Sequence, residues 1–399
     1  MRWVVLVFVL GCSGGLPALP GDGDASLDAG TSDEPFAPAA HAAFPRDIVY
    51  ADGGVLAPHV VPVFFANDTL QSGVEGLLAE LPSSSYWQAL EAEYGVGALS
   101  VGASIVLTDS PPANASSDQV AAFIASKLDS DPSWPAPTPD TIYFVYYPSS
   151  TTLLLGPLVS CVGFLGYHSY GQTSSNVTFV FAVQARCTAD QTLSELDEAT
   201  QNTTHEIVEA ATDPLLTTYG EVDPAHAVWG LYPGEELGDL CELESLSYQR
   251  LVGTNLVARF WSNAAASAGH DPCAPALSLP YFNSVPVLPD EIPVDFGYGL
   301  APTKGVVVPL GQSKTIDVQL FSDAPTTAWL VEADDSSSWT AGASPELTFA
   351  WDKTAGNNGD TLELTITRVA KGALGGTEFV VYSFVTQTTW HEYFGFAGN

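Results

Sequence analysis

Residues 204–214 read THEIVEAATDP, and His205, Glu206 and Glu209 within them have the types and spacing that metal chemistry uses. On a helix, positions four apart share a face. His205 and Glu209 can therefore present an imidazole nitrogen and a carboxylate oxygen to one ion, while Glu206 projects to the side. In HExxH metallopeptidases the corresponding helix supplies two zinc-binding histidines, and the glutamate between them is the general base on the metal-bound water. Here Glu209 stands where the second histidine would be. A carboxylate oxygen is an acceptable zinc ligand, but its negative charge makes the ion a weaker electrophile and its water less acidic. The bland alternative is a surface histidine solvated beside two glutamates, a pattern that any Glu-rich helix produces by chance.

A catalytic zinc takes three protein ligands and keeps one open position. The sequence offers Glu236 and Asp239 in GEELGDLC, His226 in VDPAHAVW, Asp213 just past the motif, and His168 in GYHSY as the third. His168 has a competing role in stabilising a turn. Trp229, Tyr232, Phe260 and Trp261 either line a substrate cleft or pack a core. Asp334, Asp335, Asp352 and Asp360 raise calcium as a second cation, although acidic turns in an acidic protein need no ion.

The elements that must position this helix alternate in type. Residues 60–65 (VVPVFF) read as a strand feeding a helical stretch over 73–81 and 86–94, and 103–107 as the next strand. Asp118 is an N-cap candidate for a helix with Val120, Phe123, Ile124 and Leu128 on one face. After a Pro-rich break at 132–139, the apolar run 141–147 (TIYFVYY) predicts a central strand. Residues 160–164 and 177–183 read as two more strands, separated by the turn-rich GYHSYGQTSSN, and a helix over 193–212 carries the motif. The result is an α/β (α+β) domain over 45–275 with a mixed sheet. Composition shifts after Cys273: residues 276–304 read as a Pro-rich linker. From 305 to 399 short strands at 314–321, 328–332, 346–351, 361–368 and 377–385 predict a small all-β, immunoglobulin-like sandwich.

The order strand, helix, strand, helix, strands, motif helix is the one expected of a zincin domain, and the short polar stretch 201–204 before His205 suggests a less crowded approach than an apolar core helix would give. THEIVEAATDP, followed downstream by GEELGDLC, RFWSN and a late Cys, also resembles the plant exordium or phosphate-induced family, as does SYWQALEAEYGVG at 85–97. With GYHSY, VDPAHAVWG and FWSNAAASAGHDPC added, the pattern is similar to uncharacterised bacterial secreted or lipoprotein homologues of that family. The resemblance covers residues 45–275 and leaves out the β-rich C-terminal part. By position, His205, Glu206, Glu209, Glu236 and Asp239 match the shared motifs, and His226 matches only the bacterial form. The resemblance thus implies Glu236 or Asp239 as the third ligand, with a disulfide at Cys241 pinning their loop against the motif helix. The plant members are described through growth and cell-wall phenotypes, so no defined reaction comes with the likeness.

The remaining composition bounds location and partners. Forty-six acidic residues against 11 basic give a formal charge of -35, which repels nucleic-acid and lipid phosphates, while 46% apolar residues suffice for packed cores. Arg2 and the apolar run 3–10 predict a cleaved export signal over 1–12. Val9, Leu10, Gly11 and Cys12 resemble a bacterial lipobox that would leave Cys12 lipidated, the alternative being an ordinary signal peptide. Residues 13–44 suit a flexible tether. The other four cysteines predict two disulfides in an oxidising compartment. Cys161 with Cys187 and Cys241 with Cys273 is the favoured of three pairings because each closes a local loop. The leading expectation is therefore an exported zinc metallohydrolase, most simply a peptidase, with Glu206 as its base. A non-catalytic envelope or wall-polymer binding protein is the competing reading.

Overall fold

The computed structural model describes residues 35–47, 56–187, 193–216, 222–231, 236–242, 244–251, 255–295, 300–339, 343–372, 374–386 and 388–399. The expected signal segment with Cys12, the tether as far as residue 34, and Tyr232 lie outside the described residues.

The chain runs through β1 (His59–Phe65), α1 (Gln71–Glu80), α2 (Ser85–Tyr94), β2 (Ser100–Val101), β3 (Ile105–Leu107), β4 (Asn114–Ser116) and α3 (Ser117–Ser130). It continues with β5 (Thr141–Tyr146), β6 (Thr152–Leu155), β7 (Leu158–Val159), β8 (Gly166–Gln172), β9 (Thr178–Gln184) and the motif helix α4 (Glu195–Thr212). The main sheet has the order β2, β1, β5, β9, β8, with β3 also on β1. All pairings are parallel except β8, which runs antiparallel along the β9 edge. Alternation of side chains divides the packing. Val60, Phe64, Ile142, Phe144, Val180 and Ala182 face α1, α2 and α4, while Val61, Val63, Tyr143, Val145 and Phe181 pack with Val120 and Ile124 of α3. Burial on both faces is why these strands read as unbroken apolar runs.

Three local expectations change. Ser116, not Asp118, caps α3, in a reciprocal box with Gln119. Residues 160–164 form a turn closed by a single bridge, and GYHSY, read as a turn, becomes edge strand β8. The polar stretch 201–204 is also no open approach: every residue from Glu198 to Thr212 is buried.

Beyond α4 come α5 (Asp239–Glu242), β10 (Tyr248–Arg250), β11 (Leu256–Ala258), β12 (Phe260–Trp261), α6 (Asn263–Ala268) and β13 (Cys273–Ala274). Both expected disulfides are present: Cys161–Cys187 ties the approach to β8 to the exit of β9, and Cys241–Cys273 ties α5 to β13. The C-terminal strands are β14 (Phe282–Pro286), β15 (Asp290–Asp295), β16 (Leu300–Val307), β17 (Ser313–Ser322), β18 (Trp329–Asp335) and β19 (Leu347–Trp351), then β20 (Ala355–Gly356), β21 (Thr361–Arg368), β22 (Gly376–Thr386) and β23 (Thr389–Gly398). They form a four-stranded sheet, β14-β17-β21-β19, facing a six-stranded one, β15-β16-β23-β22-β18-β20, as a sandwich.

Residues 276–304 are therefore not a linker: they supply β14, β15 and the start of β16, with the prolines accommodated at strand ends and an edge. Nor is the tether free to its end, since His41 stacks on Phe321 at 3.7 Å and Tyr393 Oη donates to Ala43 O. In β22, Phe379 and Val381 point into the sandwich, whereas Val380, Tyr382 and Phe384 join the core of the α/β part. The seam between the two parts is aromatic, with the Trp229 ring 5.7, 5.1 and 5.0 Å from those of Trp261, Tyr393 and Phe394. Trp229→Ala is expected to cost about 3–5 kcal/mol in denaturant unfolding, with both parts still lost in one transition. A cost below about 1 kcal/mol, or two separated transitions, would contradict a shared core.

Candidate metal centre

A buried polar helix must find partners for its side chains. In α4 the threonines do so within the helix and on β9: Thr203 Oγ1 donates to Gln184 Oε1 at 3.2 Å, Thr204 Oγ1 to Gln201 O at 2.8 Å and Thr212 Oγ1 to Val208 O at 2.9 Å. Ser194 caps the helix by accepting from Asp197 N, and the acidic first turn complements the dipole. His205, Glu206 and Glu209 turn instead toward β8 and α5.

Two triads of metal-ligating side chains converge there, His205 with Glu209 and Asp239, and His168 with Glu209 and Glu236. All are buried, and the ligand atoms within each triad lie within 4.8 Å of one another. One helical turn brings His205 Nε2 to 3.0 Å from Glu209 Oε1, and Asp239 Oδ1 approaches the same nitrogen to 3.5 Å. On β8, Tyr167 points to the α3 side, so His168 points to the α4 side, and its Nδ1 lies 3.8 Å from Glu209 Oε2. Two glycines make room. A Cβ on Gly238 would sit 2.6 Å from His205 Nδ1 and 2.7 Å from Glu209 Oε1, and one on Gly166 would sit 2.7 Å from Glu206 Oε1.

The donor set fits a cation. Asp239 is fully buried, yet neither of its carboxylate oxygens accepts a hydrogen bond, and Glu206 Oε2 is in the same condition. Burial by itself would lower the His205 pKa, but Glu209, assisted by Asp239 and Glu206, raises it well above the ordinary value. Burial would raise Glu209, and the two imidazoles reverse that and hold it at about 2. Burial, followed by the charge of Glu209, pushes Glu206 and Asp239 well up. Mixed imidazole and carboxylate donors suit zinc and neighbouring divalent transition metals.

Of the residues singled out in the sequence, the fold thus gathers His205, Glu209, Asp239, Glu236 and His168. Glu206 is beside them but belongs to neither triad, its carboxylate reaching toward Gly166. His226 is drawn elsewhere, to Asp223, at 2.9 Å. Asp213 contributes its main-chain oxygen, which accepts from His168 Nε2 at 2.9 Å. Trp229, Phe260 and Trp261 are core residues. Asp335, Asp352 and Asp360 accept backbone N–H groups of neighbouring turns and strands. Glu242 was not anticipated: half-buried beside the centre, its carboxyl is pushed up by desolvation. The only signal for it was its place one turn beyond Asp239.

No family model and no curated protein matches the chain. Among solved structures, a three-immunoglobulin-domain titin fragment (domains I67–I69, an E-to-A mutated variant) is similar at 16% identity with a TM-score of 0.17. The match covers 31% of this chain and 33% of that one, so the chain spans about a third of its length.

The charge pattern predicts a pH dependence for the metal-free protein. Raised carboxyls (Glu206, Asp239, Glu242) make the folded state bind more protons than the unfolded one above about pH 4, so stability falls as pH rises. The raised His205 acts in the same sense, its contribution being complete below about pH 6.5 and lost as pH rises through the folded value. In chelator, the melting temperature should fall steadily from pH 5 to pH 8, and saturating zinc should remove most of that slope. A metal-free protein more stable at pH 8 than at pH 5 would refute it. Gly238→Ala should weaken zinc binding about 10- to 100-fold, read by competition with a chromogenic chelator; unchanged affinity would show that the Gly238 clearance is irrelevant.

Proposed function

We infer that this chain is an exported, metal-dependent hydrolase of the zincin type, with peptide bonds as the simplest substrate. The observation carrying the reading is the buried convergence of His205, Glu209 and Asp239, with both Asp239 oxygens lacking hydrogen-bond partners. A mixed sheet whose antiparallel edge strand lies beside the motif helix supports it, as do the matches to exordium-like motifs. Two disulfides suit an oxidising, extracellular setting. Among the described residues no helix is long and apolar enough to cross a membrane. Attachment would thus fall to Cys12, and contact with peptide or wall polymer to the folded part, including a C-terminal sandwich of immunoglobulin-like type.

Bound at this centre, a divalent cation such as zinc would supply Lewis-acid polarisation of a substrate carbonyl and a more acidic water. His205, Glu209 and Asp239 would hold it. Glu206, adjacent in sequence but outside the triad, keeps a carboxylate oxygen with no partner and an affinity for protons raised by burial. That combination suits it to take a proton from the attacking water and return it to the leaving amine. The purified chain should contain at least one zinc per molecule, and His205→Ala should lose the ion that His205 holds. Glu206→Gln should keep the metal while cutting peptide-library hydrolysis about 100- to 10,000-fold. Absence of bound metal in the wild type would end the proposal.

The depth of the centre favours one competing reading, a binding protein that keeps the ion for its fold. It predicts metal-dependent stabilisation, with zinc or calcium, and no hydrolysis for Glu206→Gln to abolish.

A further inference from the structure

We propose that the centre holds two divalent transition-metal ions, bridged by the carboxylate of Glu209; this rests on the metal-binding reading above and extends it. The two oxygens of Glu209 face different imidazoles. Oε1 lies 3.0 Å from His205 Nε2, and Oε2 lies 3.8 Å from His168 Nδ1. Each half has its own further carboxylate: Asp239 Oδ1 is 3.5 Å from His205 Nε2, and Glu236 offers an oxygen within 4.8 Å of the ligand atoms of His168 and Glu209. Two separate three-residue sets therefore meet at one shared side chain.

The tautomer of His168 makes it a ligand. The main-chain oxygen of Asp213 can only accept, so the 2.9 Å contact requires the proton to be on Nε2. That leaves the Nδ1 lone pair directed at Glu209. A histidine whose distal N–H is held by a carbonyl is arranged as metal-bound histidines are.

Charge balance leads the same way. Glu206, Glu209, Glu236, Asp239 and Glu242 bring five carboxyl groups to the centre. Among the described residues, the ion pairs of Lys127, Arg186, Arg250, Arg259 and Lys314 are all made elsewhere. One divalent cation offsets two negative charges; two offset four. Ions bridged in this way can flank the attacking and leaving oxygens of one displacement.

The test uses the full mature chain, stripped with chelator, loaded with zinc or manganese and desalted before elemental analysis. Two ions per chain, falling to one in His168→Gln and to one in His205→Gln, is the expected result. One ion per chain that persists in His168→Gln overturns the bridge but leaves the single-ion reading intact, whereas no retained ion overturns both. The wild-type manganese form supplies a readout independent of variant folding. Its electron paramagnetic resonance spectrum should show an exchange-coupled pair, and the six-line signal of isolated manganese at full loading would overturn the proposal.

Discussion

The structure depends on the burial of one polar helix. From Glu198 to Thr212, α4 is enclosed on every side, although its sequence is rich in threonine, glutamine and glutamate. Its hydroxyls are satisfied within the helix and by β9 and β11, Thr204 Oγ1 accepting from Ala258 N at 2.9 Å. The carboxylates of Glu206 and Glu209 are not satisfied in this way. Removing ionised carboxylates from water is favourable only when opposite charge accompanies them, and here the His205 imidazole, its pKa raised by Glu209, is the cationic side chain at hand. The neighbouring elements are placed to enclose that charge: β8 turns His168 inward, Cys241–Cys273 fixes α5, which begins with Asp239, and Gly166 and Gly238 clear the space.

The sandwich contributes to the same enclosure at longer range. Its six-stranded sheet has no solvated outer face where it meets the α/β part; Val380, Tyr382, Phe384 and Phe394 pack into the core that also contains Ile207 and Val208 of α4. His391 of β23 pairs with Glu244, just beyond α5, at 2.6 Å. The segment carrying Glu236 and Asp239 is thus held by a disulfide on one side and by the sandwich on the other.

Much of this was legible in the residues. VVPVFF and TIYFVYY are too uniformly apolar to be anything but central strands, and an i, i+4 His–Glu pair needs only helical geometry to meet. The cysteine pairing followed from loop length. What was not legible depended on the far side of each element. GYHSYGQ contains two glycines and reads as a turn, but pairing with β9 makes it a strand and lifts His168 from alternative to participant. Residues 276–304 looked like a linker because prolines weaken a strand signal, although an edge strand tolerates them. The burial of 201–204 was hidden because their polarity suggested solvent, while the partners that replace water come from distant segments.

The double-sided burial of β22 and β23 has a consequence for how the chain comes to be. The final strand ends at Gly398, and its Tyr393 and Phe394 rings close over Trp229 in the α/β part. During synthesis, the N-terminal two-thirds therefore emerges with its core open at that seam. It can be completed only when β23 has arrived, so the core that contains Ile207 and Val208 of the motif helix is closed by the sandwich of the same molecule.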